Sequence, residues 1–247
     1  MKALVLEKKL DLKLRDIDLP TELGPDDVKI KMHTVGICGS DIHYYEHGKI
    51  GQWKVNEPMV LGHEGSGTVI DIGKNEKILK TGDRVCIEPQ VVSKKTKEYK
   101  LGIYNYDQKV KFWATPPIHG CLTPEVVFPG DMVFKIPDSL SYAEGAMVEP
   151  LAVGMQGVTK AQIKPGQIGL VMGCGPIGLV TALAALAGGC SKVYIADILS
   201  EKLKICEHYS GLVPVDLSKE NLPEKIMNDT NSWGVDRFFE CSGAVKA

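Results

Sequence analysis

The chain has 247 residues, 44% hydrophobic and 24% charged, an ordinary globular composition that can fill one large domain or two modest ones. Its formal charge of −2 is spread along the sequence, so there is no basic stripe for nucleic acid or an anionic membrane surface. The first apolar run stops at Glu7, no later run reaches a membrane-spanning length, and the seven cysteines are irregularly spaced, so the sequence predicts a cytoplasmic protein with no nucleic-acid or membrane partner.

In chain order, the first 150 or so residues are interrupted by Gly and Pro and carry strand-like runs at 28–32, 67–72 and 84–87. Alternation in Val28-Lys29-Ile30-Lys31-Met32 is the period-2 pattern of a half-buried strand, and Gly82-Asp83 marks a turn into the third run. This half reads as a β barrel or sandwich. Residues 91–117 form a polar stretch with Lys94, Lys95, Lys97 and Lys100, an excursion from the barrel whose lysines read as a solvated face. Ser141-Tyr142-Ala143-Glu144 fits a capping box and predicts a helix start, with Pro150 interrupting or kinking that helix. Beyond Lys164-Pro165-Gly166 the pattern alternates. Strands are predicted at 168–172, 193–196 and 235–240, helices at 176–187, 201–209 and 223–229, and a short apolar run occupies 212–215. Such alternation marks a doubly wound parallel sheet.

The turn Gly173-Cys174-Gly175-Pro176-Ile177-Gly178 has the form G-x-G-x-x-G, preceded by a strand and followed by an Ala- and Leu-rich helix. Gly173 permits the tight turn, Gly175 lets backbone amides approach a pyrophosphate, and Gly178 lets the helix lie close to the strand. Asp197 stands 19 positions after Gly178, where a ribose-binding carboxylate is expected, and it would repel a 2′-phosphate, which favours NAD over NADP. Lys202 reads either as a second ribose contact or as a solvated helix residue.

Upstream, Val35-Gly36-Ile37-Cys38-Gly39-Ser40-Asp41-Ile42-His43 and Leu61-Gly62-His63-Glu64-Gly65 bring a thiol, imidazoles and carboxylates into two glycine-bounded segments. Such donors suit a zinc ion that keeps one position open. Spacing does not decide it, because Cys38 and His63 are far apart, and a buried Cys with a core His is the plainer reading of the residues alone. A metal site followed by a dinucleotide site implies a metal-dependent, nicotinamide-linked dehydrogenase.

These runs, with Gly82-Asp83-Arg84-Val85, Ala114-Thr115-Pro116-Pro117 and Val148-Glu149-Pro150-Leu151-Ala152, resemble the medium-chain zinc dehydrogenases, specifically the sorbitol and xylitol dehydrogenase branch. Phe112-Trp113-Ala114-Thr115-Pro116-Pro117-Ile118-His119-Gly120-Cys121 is most similar to the xylitol dehydrogenases. The resemblance implies a GroES-like catalytic domain over residues 1–151 and the N-terminal part of a Rossmann domain over residues 152–247. It implies Cys38, His63 and Glu64 as ligands of one catalytic zinc, with Glu149 as an alternate or water-mediated ligand that also meets substrate. Ser40 and His43 match a proton relay, Tyr44, Phe112 and Thr115 line the substrate pocket, and Pro176, Ile177 and Asp197 fall at cofactor positions. The four-cysteine lobe that holds a structural zinc in many relatives has no counterpart between Glu88 and Gly120, so a structural zinc is not expected. The implied reaction is hydride transfer from a small polyol, xylitol or sorbitol, to NAD, in a family whose full-length members are homo-oligomers. Family members continue past the equivalent of Ala247 by on the order of 100 residues, so the chain reads as C-terminally truncated, with the strand at 235–240 becoming an apolar edge. Two alternatives stay open: a sorbitol or L-iditol dehydrogenase, and an inactive fragment that only binds zinc or NAD.

Overall fold

The computed structural model describes residues 1–244 and divides into two compact units, Met1–Glu149 and Pro150–Ala247. The first is built on a five-stranded antiparallel sheet, in the spatial order Glu125–Pro129, Asp27–Gly36, Glu64–Ile72, Arg84–Ile87, Val133–Lys135. Val28, Ile30, Val69, Val85 and Ile87 project from these strands into one core, closed by Trp113 packed on Phe128 with ring centroids 4.3 Å apart. Period-2 alternation explains the strand: Val28 and Ile30 are fully buried, whereas Lys29 and Lys31 point outward. A second sheet, Asp11–Asp16, Lys2–Lys8 and Met59–Val60, flanks it.

The stretch at 91–117 is an excursion with structure of its own. Its ends are closed by pairing of Gln90–Val91 with Lys111–Phe112, and it contains a short helix, Lys97–Lys100, and a 3-10 turn, Tyr104–Tyr106. Ser141 caps the helix Tyr142–Ala146 as its sequence predicts: the hydroxyl accepts from the Glu144 amide at 3.2 Å, and Glu144 Oε2 accepts from the Ser141 amide at 2.7 Å. Pro150 behaves differently from expectation. The break falls at Met147, and Pro150 sits in the first turn of a new helix, Val148–Ala161. A first-turn amide has no intrahelical acceptor, so proline loses nothing there.

The second unit holds four parallel strands in the order Leu212–Asp216, Lys192–Asp197, Ile168–Met172, Arg237–Glu240. Counting within the unit, that is 3-2-1-4, the order that places a ligand crevice beyond the carboxyl end of the first strand. The run at 212–215 is thus a full strand, and Arg237–Glu240 lies at one end of the sheet with Phe238 56% exposed. The helix expected at 201–209 is split into an α turn, Ser200–Leu203, and a 3-10 segment, Lys204–His208. Among the described residues, no helix is long and apolar enough to cross a membrane.

Candidate active site

Strand pairing explains how two segments distant in sequence meet. Asp27–Gly36 and Glu64–Ile72 run antiparallel, and their register ends on Gly36 opposite Glu64. Cys38 follows the first strand and His63 immediately precedes the second, so pairing carries both donors to the same end of the sheet. Gly36 leaves room for the Glu64 carboxylate: a Cβ there would stand 2.1 Å from Glu64 Oε2 and 3.1 Å from Glu64 Cβ, so any side chain would displace that carboxylate. One donor atom each from Cys38, His63 and Glu64 lies within 4.8 Å of the others, with His63 and Glu64 buried and Cys38 half-buried.

Asp41 organises this cluster, and the sequence reading leaves it out. Cys38 is the N-cap of the helix Gly39–His47, and Asp41 occupies its third position. Asp41 Oδ2 accepts from the Cys38 amide at 3.0 Å, and Oδ1 accepts from the Gly62 amide at 2.9 Å. The same Oδ2 stands 4.0 Å from His63 Nδ1. One carboxylate, 2% exposed, therefore ties the Cys38 segment to the His63 segment. An acid three residues after a helix N-cap was the available signal, but a cysteine cap does not advertise itself as serine does.

The electrostatics favour a cation. Burial pushes the Cys38 thiol above its ordinary range, against a hydrogen bond with Ser40 that lowers it. Burial likewise raises the Glu64 carboxyl, with His63 opposing and Asp41 adding to the rise. Glu149 is raised by burial first, then relieved by His63 and raised further by Glu64 and Asp41. His63 Nδ1 is buried with no hydrogen-bond partner. A buried set of acids that resist ionising next to an unsatisfied imidazole fits a divalent metal, and the mixture of sulfur, nitrogen and oxygen donors is that of zinc.

Beside the cluster lies a cavity of about 710 Å³, walled by Ser40, Tyr44, His63, Phe112 and Thr115 among others. The Phe112 ring meets His63 edge-on at 5.5 Å, and buried Tyr44 hydrogen-bonds through its hydroxyl to Thr115. Of the sequence-based substrate and relay set, His43 and Glu149 do not wall this cavity. His43 is exposed on the same helix as Ser40, its ring 5.1 Å from that of His47.

In the second unit, Gly173 adopts φ +95°, a conformation that suits glycine, and a Cβ on Gly178 would stand 1.8 Å from the Gly173 carbonyl oxygen. Gly175 is the N-cap of the helix Pro176–Ala187, and a Cβ on it would meet no protein atom within 4 Å, leaving open space at the helix N-terminus. Pro176 opens the helix, and Ile177 follows it half-buried. Asp197, at the end of its strand, accepts from the Cys174 amide at 2.8 Å and from the Leu199 amide at 2.9 Å. The structure thus brings Asp197 against the glycine loop. Lys202 is exposed, and it is its carbonyl that meets the loop, accepting from Cys174 Sγ at 3.3 Å.

Residues 24–138 match the family model of the alcohol dehydrogenase GroES-like domain. A D-xylulose reductase from Morganella morganii is 56% identical over 245 residues, covering 99% of this chain and 72% of that protein. Mouse sorbitol dehydrogenase is 41% identical, covering 98% of this chain and 68% of that protein. Among solved structures, an oxidoreductase of unknown specificity from Escherichia coli superposes with a TM-score of 0.93 at 34% identity, over 99% of this chain and 71% of that one. The chain belongs to the medium-chain zinc-dependent polyol dehydrogenases. These polyol dehydrogenases work with zinc and NAD(H), and in this one Cys38, His63 and Glu64 are the three-donor cluster found among the described residues. Its GroES-like fold and partial Rossmann sheet are those of the family.

Proposed function

We propose that the chain oxidises xylitol to D-xylulose with NAD, using one zinc ion held by Cys38, His63 and Glu64 and no structural zinc. The observation that carries this reading is the convergence of the three donors within 4.8 Å beside the cavity that Ser40, Tyr44, Phe112 and Thr115 wall. Identity of 56% to the D-xylulose reductase of Morganella morganii supports xylitol as the substrate. The absence of cysteine between Glu88 and Gly120 supports a single metal. The seven cysteines are all free thiols, which supports a cytoplasmic location.

When bound, zinc would supply the Lewis acidity that lowers the pKa of a substrate hydroxyl, and NAD would supply the hydride acceptor for oxidation of a secondary alcohol to a ketone. The Ser40 hydroxyl, in the cavity wall, accepts the substrate's hydroxyl proton as it gives its own toward exposed His43, one helical turn further on, which delivers a proton to water. Tyr44, Phe112 and Thr115 give the substrate carbon chain an apolar wall with a polar edge. Glu149, held among His63, Glu64 and Asp41, is a reserve carboxylate that orients water or a substrate hydroxyl. In the second unit, Gly173, Gly175, Pro176, Ile177 and Gly178 would hold the pyrophosphate of NAD, and Asp197, with Lys202, would hold its ribose hydroxyls.

The test is a panel of xylitol, sorbitol, L-iditol and D-xylulose assayed with NAD or NADH, alongside zinc stoichiometry by elemental analysis. One zinc per chain with the highest kcat/KM on xylitol is expected. A higher value on sorbitol would replace the substrate, and binding of zinc and NAD without any turnover would leave a binding fragment only.

A further inference from the structure

The substrate cavity carries an acid for which the chemistry so far gives no use. Asp107 lines the cavity with Gln108, as do Ser40 and Tyr44, and is 5% exposed. Its Oδ1 accepts from the Lys109 amide at 2.8 Å, a local turn in which the Asp107 carbonyl also accepts from the Val110 amide at 3.1 Å. Its Oδ2 is buried and has no hydrogen-bond partner. The turn explains only one oxygen. Asparagine would hold the same turn through its amide oxygen but would put an N–H donor where Oδ2 stands, so what the acid adds at this place is an acceptor. A buried acceptor without a donor costs stability, so the acid at this place calls for a donor that arrives from elsewhere.

The cavity indicates what that donor is. Much of its wall is apolar, including Ile50, Phe112, Trp113 and Ile118. A polyol entering it gives up water at hydroxyls remote from the reacting carbon, and those hydroxyls need acceptors. We propose that Asp107 is a specificity-determining substrate-binding residue, whose unpartnered Oδ2 accepts a hydrogen bond from a hydroxyl of the polyol chain away from the carbon being oxidised. The carboxyl torsion of aspartate is broad, so the carboxylate can turn to meet a hydroxyl that enters the cavity it lines. A site built to hydrogen-bond a hydroxyl discriminates strongly against an alcohol that lacks it, because its own buried group is then left unpaired. The proposal rests on the polyol dehydrogenase reading given above and adds to it the residue that separates polyols from simple secondary alcohols.

The experiment compares the zinc-loaded protein with its Asp107→Asn and Asp107→Ser variants on xylitol and on 2-butanol, a secondary alcohol without remote hydroxyls. Xylitol binding to each protein is also measured by calorimetry without turnover. Asn and Ser both retain an oxygen for the Lys109 turn. The expected result is a fall of about tenfold or more in the ratio of kcat/KM for xylitol to that for 2-butanol, expressed chiefly in KM. Calorimetric affinity for xylitol falls in parallel. An unchanged ratio with unchanged xylitol affinity in either folded variant overturns the proposal while leaving the polyol reading intact. A parent protein that binds zinc but neither binds nor prefers xylitol overturns both.

Discussion

Cys38 stands at the junction of three demands: it caps a helix, ends a strand connection and supplies a thiol to the cluster. Its thiol is raised by burial in the metal-free protein, so at neutral pH it carries a proton that zinc must displace. Zinc uptake should therefore release at least one proton per ion, and zinc affinity should rise with pH through neutrality. A pH-indicator titration in weak buffer measures this directly, and zinc binding with no proton release would show that Cys38 is not a ligand. Cys38→Ser should lose zinc and nearly all turnover, whereas Asp197→Ala should chiefly raise the NAD concentration required. Full activity in a zinc-free Cys38→Ser protein would remove the metal from the chemistry. Asp41 acts through its neighbours, holding the Cys38 and Gly62 amides and facing His63. Asp41→Ala should weaken zinc binding about 10–100-fold, measured by competition with a chromophoric chelator; affinity equal to the parent would reduce Asp41 to a structural cap.

Most strands and helices were legible in the sequence from local pattern, whereas which strands pair, and in what register, was not. The glycine turn and the Ala- and Leu-rich run after it announce the helix Pro176–Ala187, and the Ser141–Glu144 capping box announces the helix Tyr142–Ala146. The meeting of Cys38 with His63 is set by the register of Asp27–Gly36 on Glu64–Ile72, a non-local fact that residue spacing does not encode. Asp41 escaped for the same reason, since two of its three partners lie across that pairing. Pro150 was misjudged because its effect depends on where the preceding helix stops, and that helix stops early enough to put it in a first turn. The glycine loop supports a sharper expectation: with 1.8 Å between a Gly178 Cβ and the Gly173 oxygen, Gly178→Ala should destabilise the unit by about 1–3 kcal/mol and weaken NAD binding. Unaltered melting and unaltered NAD affinity in that variant would contradict the close helix-to-strand packing. A different element answers to pH. Asp83, at the turn into Arg84–Ile87, accepts from Lys135 Nζ at 2.7 Å and from the Lys80 amide at 3.1 Å. The Lys135 hydrogen bond holds its carboxyl below the usual aspartate range. A depressed carboxyl pKa adds stability above the unfolded value and loses it as pH falls through the folded one. Asp83→Asn should therefore melt below the parent at pH 7, with the gap closing as the pH drops below the ordinary aspartate range; a gap independent of pH would rule the ion pair out as its cause.

Taken whole, the molecule is two units whose chemistries complement each other: one gathers sulfur, nitrogen and oxygen donors at the end of an antiparallel sheet, and the other offers a glycine loop and an acid at the end of a parallel one. Neither unit alone accounts for oxidation of an alcohol, since a Lewis acid needs a hydride acceptor and the acceptor needs an activated hydroxyl. The most direct measurement is NADH formation from xylitol by the 247-residue chain, purified in parallel as zinc-loaded and zinc-stripped protein and followed by NADH absorbance. Sustained NADH formation that requires zinc and returns when zinc is restored is the expected result. Equal rates with and without zinc, or none from protein shown to hold both zinc and NAD, would contradict a zinc-dependent polyol dehydrogenase.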